Sequence, residues 1–247
     1  MLDYNPPHQF PPSDTPRGVD VHPHKGFETV TIVLEGEMAH SDSTGSHGVI
    51  GPNEVQWMTA GAGILHKEFQ TPEFAASGMT QHLLQLWVNL PAKHKNHPPR
   101  YQSLTKDNIP VIEEGKSKIR VLAGSYADQK GSAETFTPIT LLDIQLAPGR
   151  AFGMPMPADW NSMVLVVEGD ILYAGKTKAN VSDFLIFESE GEAIALEAGD
   201  QGARLILMAG EPIREPIAAY GPFVMNTQRE IMEAIESFQR GDFGQLS

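Results

Sequence analysis

Two short triplets constrain this chain more than any other feature: His22-Pro23-His24 and, further along, His66-Lys67-Glu68. Each sets metal-binding side chains at positions i and i+2. On a β-strand, residues two apart point to the same face, so three imidazoles and one carboxylate can converge inside a small barrel. A lone H-x-H is more often a pair of surface or hydrogen-bonded histidines, and a lone H-x-E says less still. The weight comes from what lies between them. Phe27 to Leu34 is aromatic and β-branched (Thr29, Val30, Thr31, Ile32, Val33), Glu35-Gly36-Glu37 and Ser43-Thr44-Gly45 supply turns, and Val49-Ile50-Gly51-Pro52-Asn53 opens a run ending in Trp57 and Met58. This is the pattern of an antiparallel meander that brings distant strand ends side by side, and the four donors are expected to form a metal site. All nine histidines precede residue 98, which confines the chemistry to the first half.

The absence of cysteine limits what such a site can be. Disulfides, zinc–thiolate and iron–sulfur centres are excluded, so nitrogen and oxygen must hold the metal, and the chain is at home in a reducing cytosol. Met1-Leu2-Asp3-Tyr4-Asn5-Pro6-Pro7 has neither a basic region nor an apolar core, and no stretch approaches the length of a membrane span. A soluble, cytoplasmic protein is expected. Lys and Arg number 18 against 31 Asp and Glu, a net charge of −13 that repels phosphate backbones and argues against direct nucleic-acid binding.

The 247 residues, 40% of them hydrophobic, suffice for one large domain or two small ones. Prolines and charges from Leu90 to Arg100 interrupt a strand ending at Trp87-Val88-Asn89 and read as a linker. Strand-like runs resume at Ile119–Ala123, Thr140–Leu146, Met163–Val167, Phe184–Phe187 and Arg204–Met208. The two halves echo one another, since Val30-Thr31-Ile32-Val33-Leu34-Glu35-Gly36-Glu37 returns as Met163-Val164-Leu165-Val166-Val167-Glu168-Gly169-Asp170. A duplicated barrel follows. Registering Glu168 on Glu35 sets Pro155 and Pro157 where His22 and His24 stand, and proline has no metal-binding side-chain atom. The second half therefore reads as a degenerate copy. The tail carries a helix: Thr227-Gln228-Arg229-Glu230 has the capping-box form, Ile231, Ile235 and Phe238 recur at helical spacing, and Gly241 follows. Its apolar face is expected to pack on a barrel. The expected division is a metal-binding barrel over 1–105, a degenerate barrel over 115–226, and a helix with tail over 227–247.

With ligands and duplication in view, the chain resembles the pirin family of bicupins. The resemblance is carried by HPHKGFETVTIVLEGEMAHSDSTG (22–45), GVIGPNEVQWMTAGAGILHKE (48–68), LQLWVNLPAKHKNHPPRYQ (84–102) and AGEPIREPIAAYGPFVMNTQREI (209–231). It implies an all-β bicupin, two antiparallel jelly-roll barrels face to face with a C-terminal α-helix. It also implies an iron centre held by His22, His24, His66 and Glu68. Glu28 competes for the carboxylate place, because many cupins take that ligand from the fourth position after the second histidine. Same-face parity alone does not separate Glu28 from Glu68; the pirin pattern favours Glu68 and leaves Glu28 a structural or ligand-orienting role. Two departures stand out. Asn53 occupies a turn position where the family has Gly, and Asn is the next-best residue for a left-handed conformation. The match begins at Met1, which in pirins lies after several strands, so leading strands are expected to be missing and a sheet edge less covered.

Other motifs receive plainer readings. Ala60-Gly61-Ala62-Gly63 sits between strands and lacks the Lys-Ser/Thr of a phosphate loop, so close backbone approach near the metal is expected. Trp57, Met58 and Phe69 are read as barrel core, and His82 as a hydrogen-bonded core histidine. His8, His40, His47, His94 and His97 are read in turn or linker context with no function. Three imidazoles and a carboxylate suit oxygen chemistry at Fe(II), although Zn(II), Ni(II), Cu(II) or Mn(II) would accept the same donors. The resemblance implies a quercetin 2,3-dioxygenase: a flavonol chelating the metal, Glu68 as ligand and base, and O₂ cleaving the ring with loss of CO. The alternative is a metal- or redox-dependent regulator that engages a protein partner, a transcription factor or a metabolic enzyme.

Overall fold

Aromatic and β-branched residues from Phe27 onward fit the pleated backbone, and the strand they build is covered on both faces, with eight of its nine positions buried. This is β3 (Phe27–Glu35), the centre of the first of two units in a computed structural model that describes residues 1–169 and 171–246. Asp170, the last residue of the internal echo, and Ser247 lie outside the described residues. The first unit's other strands are β1 (Leu2–Gln9), β2 (Gly18–His24), β4 (Met38–Asp42), β5 (His47–Ile50), β6 (Glu54–Thr59), β7 (Ile64–Phe69), β8 (Thr80–Asn89) and β9 (Arg100–Leu104). They form two antiparallel sheets, ordered β1-β8-β3-β6-β9 and β2-β7-β4-β5. The expected all-β bicupin architecture is thus observed. Asn53, in the turn before β6, has φ of 68°, the left-handed conformation its chemistry tolerates.

The two compact units are Met1–Lys106 with Ile213–Ser247, and Asp107–Pro212. The second span therefore ends earlier than the 226 read from sequence. Residues after Pro212 return to the first unit: a hairpin of Ala218–Tyr220 and Phe223–Met225, the helix Gln228–Gln239 and Phe243 share one apolar cluster, against which Leu65 of β7 packs. A shorter helix, α1 (Pro72–Ser77), precedes β8; α2 spans Gln228–Gln239. The latter carries the expected capping box, with Thr227 and Glu230 bonding reciprocally. The former was not anticipated, although Thr71 caps it, Pro72 opens it and left-handed Gly78 closes it. Among the described residues, no helix is long and apolar enough to cross a membrane.

The stretch from Leu90 to Arg100 is not a linker. It is a packed connection inside the first unit, leading to β9, which pairs with β6. The reason is Lys95, 1% exposed, whose Nζ donates to Gly26 O (2.9 Å), Asn89 Oδ1 (2.7 Å) and Val224 O (2.7 Å). Three acceptors match the three donors of an ammonium group. The glycines also act elsewhere than expected: a Cβ on Gly61 would fall 2.0 Å from the His97 carbonyl oxygen, and one on Gly63 would strike the Phe243 ring at 2.3 Å. The close approach is to these two neighbours, not to His22, His24, His66 or Glu68.

In the second unit, a six-stranded and a four-stranded sheet repeat the plan. Strand Ala151–Pro155 pairs with Ala193–Ala198 as β2 pairs with β7, but the inward residues are Phe152 and Met154 opposite Leu196 and Ile194. Pro155 is exposed, so the prolines do not stand in the place of the histidines. The connection before Asn161–Gly169 is longer than Lys25-Gly26 between β2 and β3, and this shifts the parity of the sequence match. The inward positions there offer no nitrogen or oxygen donor.

Replacing Lys95 by Met keeps the stem but leaves three buried acceptors unpaired. Urea unfolding should show a loss of about 2–4 kcal/mol with an unchanged m-value.

Candidate metal centre

Strand β7 supplies the middle of the site, because its pattern strictly alternates: Ile64, His66 and Glu68 are buried while Leu65, Lys67 and Phe69 are partly exposed. It lies between β2 and β4. In register, His22 sits opposite His66 on one side, while Asp42 sits opposite His66 and His40 opposite Glu68 on the other. A bulge between Val19 and His22 adjusts β2 to this register.

His22, His24 and His66 come together, their ring centroids 4.2 to 4.8 Å apart and their ligand atoms within 4.8 Å of one another. Two backbone carbonyls set which nitrogens face inward. His22 Nδ1 donates to Asp20 O at 2.7 Å, leaving Nε2 for a ligand. The carbonyl of Pro222 accepts from the His24 ring, and His24 Nδ1 is buried without a partner. His66 is fully buried, and neither of its nitrogens has a hydrogen-bond partner. Such unpartnered buried nitrogens cost stability unless something binds them. Burial, reinforced by neighbouring imidazoles, pushes the pKa of His24 down to about 3 and that of His66 further in the same direction. Both rings are therefore neutral, the form that binds a cation, and the donor set fits a divalent metal. Phe27, stacked on Trp87 at 4.3 Å, and Trp87 itself wall the His24 ring.

Glu68 groups differently from the expected four. Its carboxylate forms a set with His66 and His40, all ligand atoms within 4.8 Å of one another. It also meets the opposite sheet, where Gln85, Thr31 and Gln56 stand side by side on β8, β3 and β6. Gln56 Nε2 and Thr31 Oγ1 (3.3 Å) donate to Oε1, and Gln85 Nε2 donates to Oε2 at 2.8 Å. Glu28 lies on the other face of β3 from Phe27 and Thr31, which meet His24 and Glu68. It accepts from Thr59 Oγ1 at 2.6 Å, and burial raises its pKa despite that bond.

His40 lies on β4 rather than in the turn its sequence context suggests, and it is 2% exposed. Its ring stacks on Tyr101 (4.8 Å between centroids, 17° between planes), and its Nε2 donates to Asp42 Oδ2 at 3.0 Å. Burial works to raise the pKa of Asp42, but hydrogen bonds from His40 and Thr44 hold it below the usual carboxylate range. Tyr101 is pushed up to about 12 by burial and the nearby Glu68 and Asp42 charges. His82 is buried and hydrogen-bonded to Tyr4 Oη at 2.9 Å, and Trp57 and Met58 are fully buried. A cavity of about 630 Å³ reaches Glu68, Thr31 and Gln85 between walls that include Tyr4, Val19 and Leu83.

Comparison with known proteins accounts for nearly the whole chain. A family model described as pirin matches residues 1–88, and one described as the pirin C-terminal cupin domain matches 141–244. Human pirin is 40% identical, across 93% of this chain and 79% of its own length. The chain belongs to the pirin family. A Pseudomonas aeruginosa relative named "Putative quercetin 2,3-dioxygenase" is 43% identical, across 98% of this chain and 85% of its own. The crystal structure of a quercetin 2,3-dioxygenase from Acinetobacter baumannii, 44% identical, superposes with a TM-score of 0.93 over all of this chain and 86% of that one.

Because His66 belongs to both donor sets, His66→Ala should abolish tight cation uptake by this pirin. A tight equivalent persisting by elemental analysis would place a site elsewhere. The histidine pKa values also set the pH response of the metal-free protein. Between 6.5 and about 3, the unfolded chain protonates His24 and the folded chain does not. Stability must then fall as pH is lowered through that window, by at most ~1.4 kcal/mol per pH unit for this group. Urea midpoints at pH 7 and pH 5 test this, and His24→Phe should flatten the dependence.

Proposed function

We propose that this pirin-family chain is a cytoplasmic quercetin 2,3-dioxygenase-type enzyme, cleaving a flavonol with O₂ and releasing CO at an iron centre held by His22, His24, His66 and Glu68. The observation that carries this reading is the cluster of His22 with His24 and His66, the latter two buried and neutral with His24 Nδ1 and both His66 nitrogens unpartnered, and with Glu68 next along the same inward face of β7. Iron(II) held there supplies a Lewis acid for the flavonol oxygens and a redox partner for O₂.

The residues have separable tasks. Glu68 takes the proton of the flavonol hydroxyl at a carboxylate oxygen. A carboxylate offers about four lone-pair sites, and the donors from Gln56, Thr31 and Gln85 hold it in one orientation. Phe27 and Trp87 keep water from the His24 side. The cavity at Glu68 is of the size that suits a drug-sized aromatic ligand. Glu28, on the far face of β3, holds Thr59 and takes no part.

Anaerobically iron-loaded protein given quercetin and O₂ should consume the flavonol absorbance and release CO. Glu68→Gln should keep some iron and lose on the order of 10²-fold or more in turnover, whereas Glu28→Gln should keep both. Iron loss in Glu28→Gln with normal turnover in Glu68→Gln would reverse the assignment. A fully loaded protein that releases no CO would leave the protein-binding regulator as the better reading.

A further inference from the structure

His40 and His66 share an unexplained property. His40 donates its Nε2 hydrogen to Asp42, and its other ring nitrogen, Nδ1, is buried without a partner. Stacking on Tyr101 accounts for the position of the ring but not for the orphaned nitrogen. His66 presents two unpartnered nitrogens, and either can carry the lone pair, according to which neutral tautomer the ring adopts. The two ring centroids are 5.5 Å apart, and the ligand atoms of His40, His66 and Glu68 are within 4.8 Å of one another. Strand pairing fixes the arrangement, with His40 opposite Glu68 and Asp42 opposite His66 on β4 and β7.

Asp42 gives His40 the surroundings of a metal ligand. A metal-bound histidine ordinarily passes its other N–H to a carboxylate or carbonyl, which fixes the tautomer and raises the basicity of the ligating nitrogen. The carboxylate is itself pinned, since its Oδ1 accepts from Thr44 N (2.8 Å), Thr44 Oγ1 (2.6 Å) and Ser46 N (3.2 Å). His22 and His24 have their carbonyls for the same purpose.

We propose that His40, His66 and Glu68 form a second seat for a divalent cation of the zinc, cobalt or copper class, overlapping the first at His66. Two imidazoles and one carboxylate suit such borderline ions. Because His66 and Glu68 serve whichever seat is filled, the two are alternative positions for one ion. The seat does not depend on flavonol cleavage.

The test removes the first seat and leaves the second. His22→Ala with His24→Ala should still bind one equivalent of Co(II), measured by equilibrium dialysis and by the visible d–d absorption of the bound ion. Adding His40→Ala should weaken that binding about 100-fold, and adding Asp42→Asn instead about 10-fold. Adding His47→Ala, at an exposed histidine, should change nothing. A folded double variant that binds no Co(II), or a triple variant with His40→Ala that binds as well as its parent, would overturn the proposal. His22→Ala with His24→Phe keeps a ring against Phe27 and Trp87, and provides the background if truncation at His24 unfolds the chain. No flavonol enters the experiment, so its outcome is separate from that of the dioxygenase assay.

Discussion

The register of β7 between β2 and β4 is the constraint on which the rest of this structure depends. Side chains on a strand alternate with a period of two, so a slip of one residue would turn His66 and Glu68 outward and bring Lys67 into the barrel. Every pairing that defines the centre runs through this strand: His22 and Asp42 flank His66, and His40 flanks Glu68. Leu65, on the other face, packs with the C-terminal cluster. One short strand thus positions the donors with its even-numbered residues and anchors the tail with an odd one. A loss of tail packing would reach the candidate metal centre through β7 itself.

Burying so much polarity is tolerable only if it is accounted for atom by atom. For Glu68 the account closes, because three side chains aligned across the opposite sheet donate to it, and Thr31 in turn accepts from Gln56 and Gln85. For His24, His40 and His66 it does not close within the protein. The contrast is informative. The protein's own side chains satisfy the carboxylate and leave the imidazoles wanting a partner, which is the pattern expected when binding energy from a cation offsets a cost built into the scaffold.

Much of this was legible in the sequence, and the failures have definite causes. The i, i+2 rule located His22, His24, His66 and Glu68 on two strands, and the same rule applied to His40-Ser41-Asp42 would have found the pair that was missed. The Ser43-Thr44-Gly45 turn signal immediately follows that pair and masks it, and the strand leading into the turn is only five residues long. Thr31, Gln56 and Gln85 carry no motif at all; they become neighbours through strand pairing between residues 25 and 54 positions apart. Lys95 misled for another reason. Prolines and charges around it look like a linker, and nothing local reveals that the chain supplies three acceptors for a buried ammonium. Asn53 and the Thr227 cap were readable because turn and cap chemistry are local.

The second unit shows what the plan becomes without the metal donors. On the strand pair that corresponds to β2 and β7, Phe152, Met154, Ile194 and Leu196 fill the interior with hydrocarbon and a thioether, joined by Val164 and Leu205 from the larger sheet. Its principal buried charges answer one another: Arg204 donates to Asp143 from Nε (2.9 Å) and Nη2 (2.7 Å), and Arg120 meets the same carboxylate at 3.3 Å. Apolar packing and a matched ion cluster stabilise this unit. The internal echo around Glu35-Gly36 and Glu168-Gly169 therefore records a shared turn, both glycines having positive φ, rather than a shared site. Between duplicated barrels, turn chemistry survives because the backbone demands it, whereas inward residues are free to change so long as they fill the same volume. Function is then to be sought in the copy that still bears the cost of buried, unpartnered nitrogens.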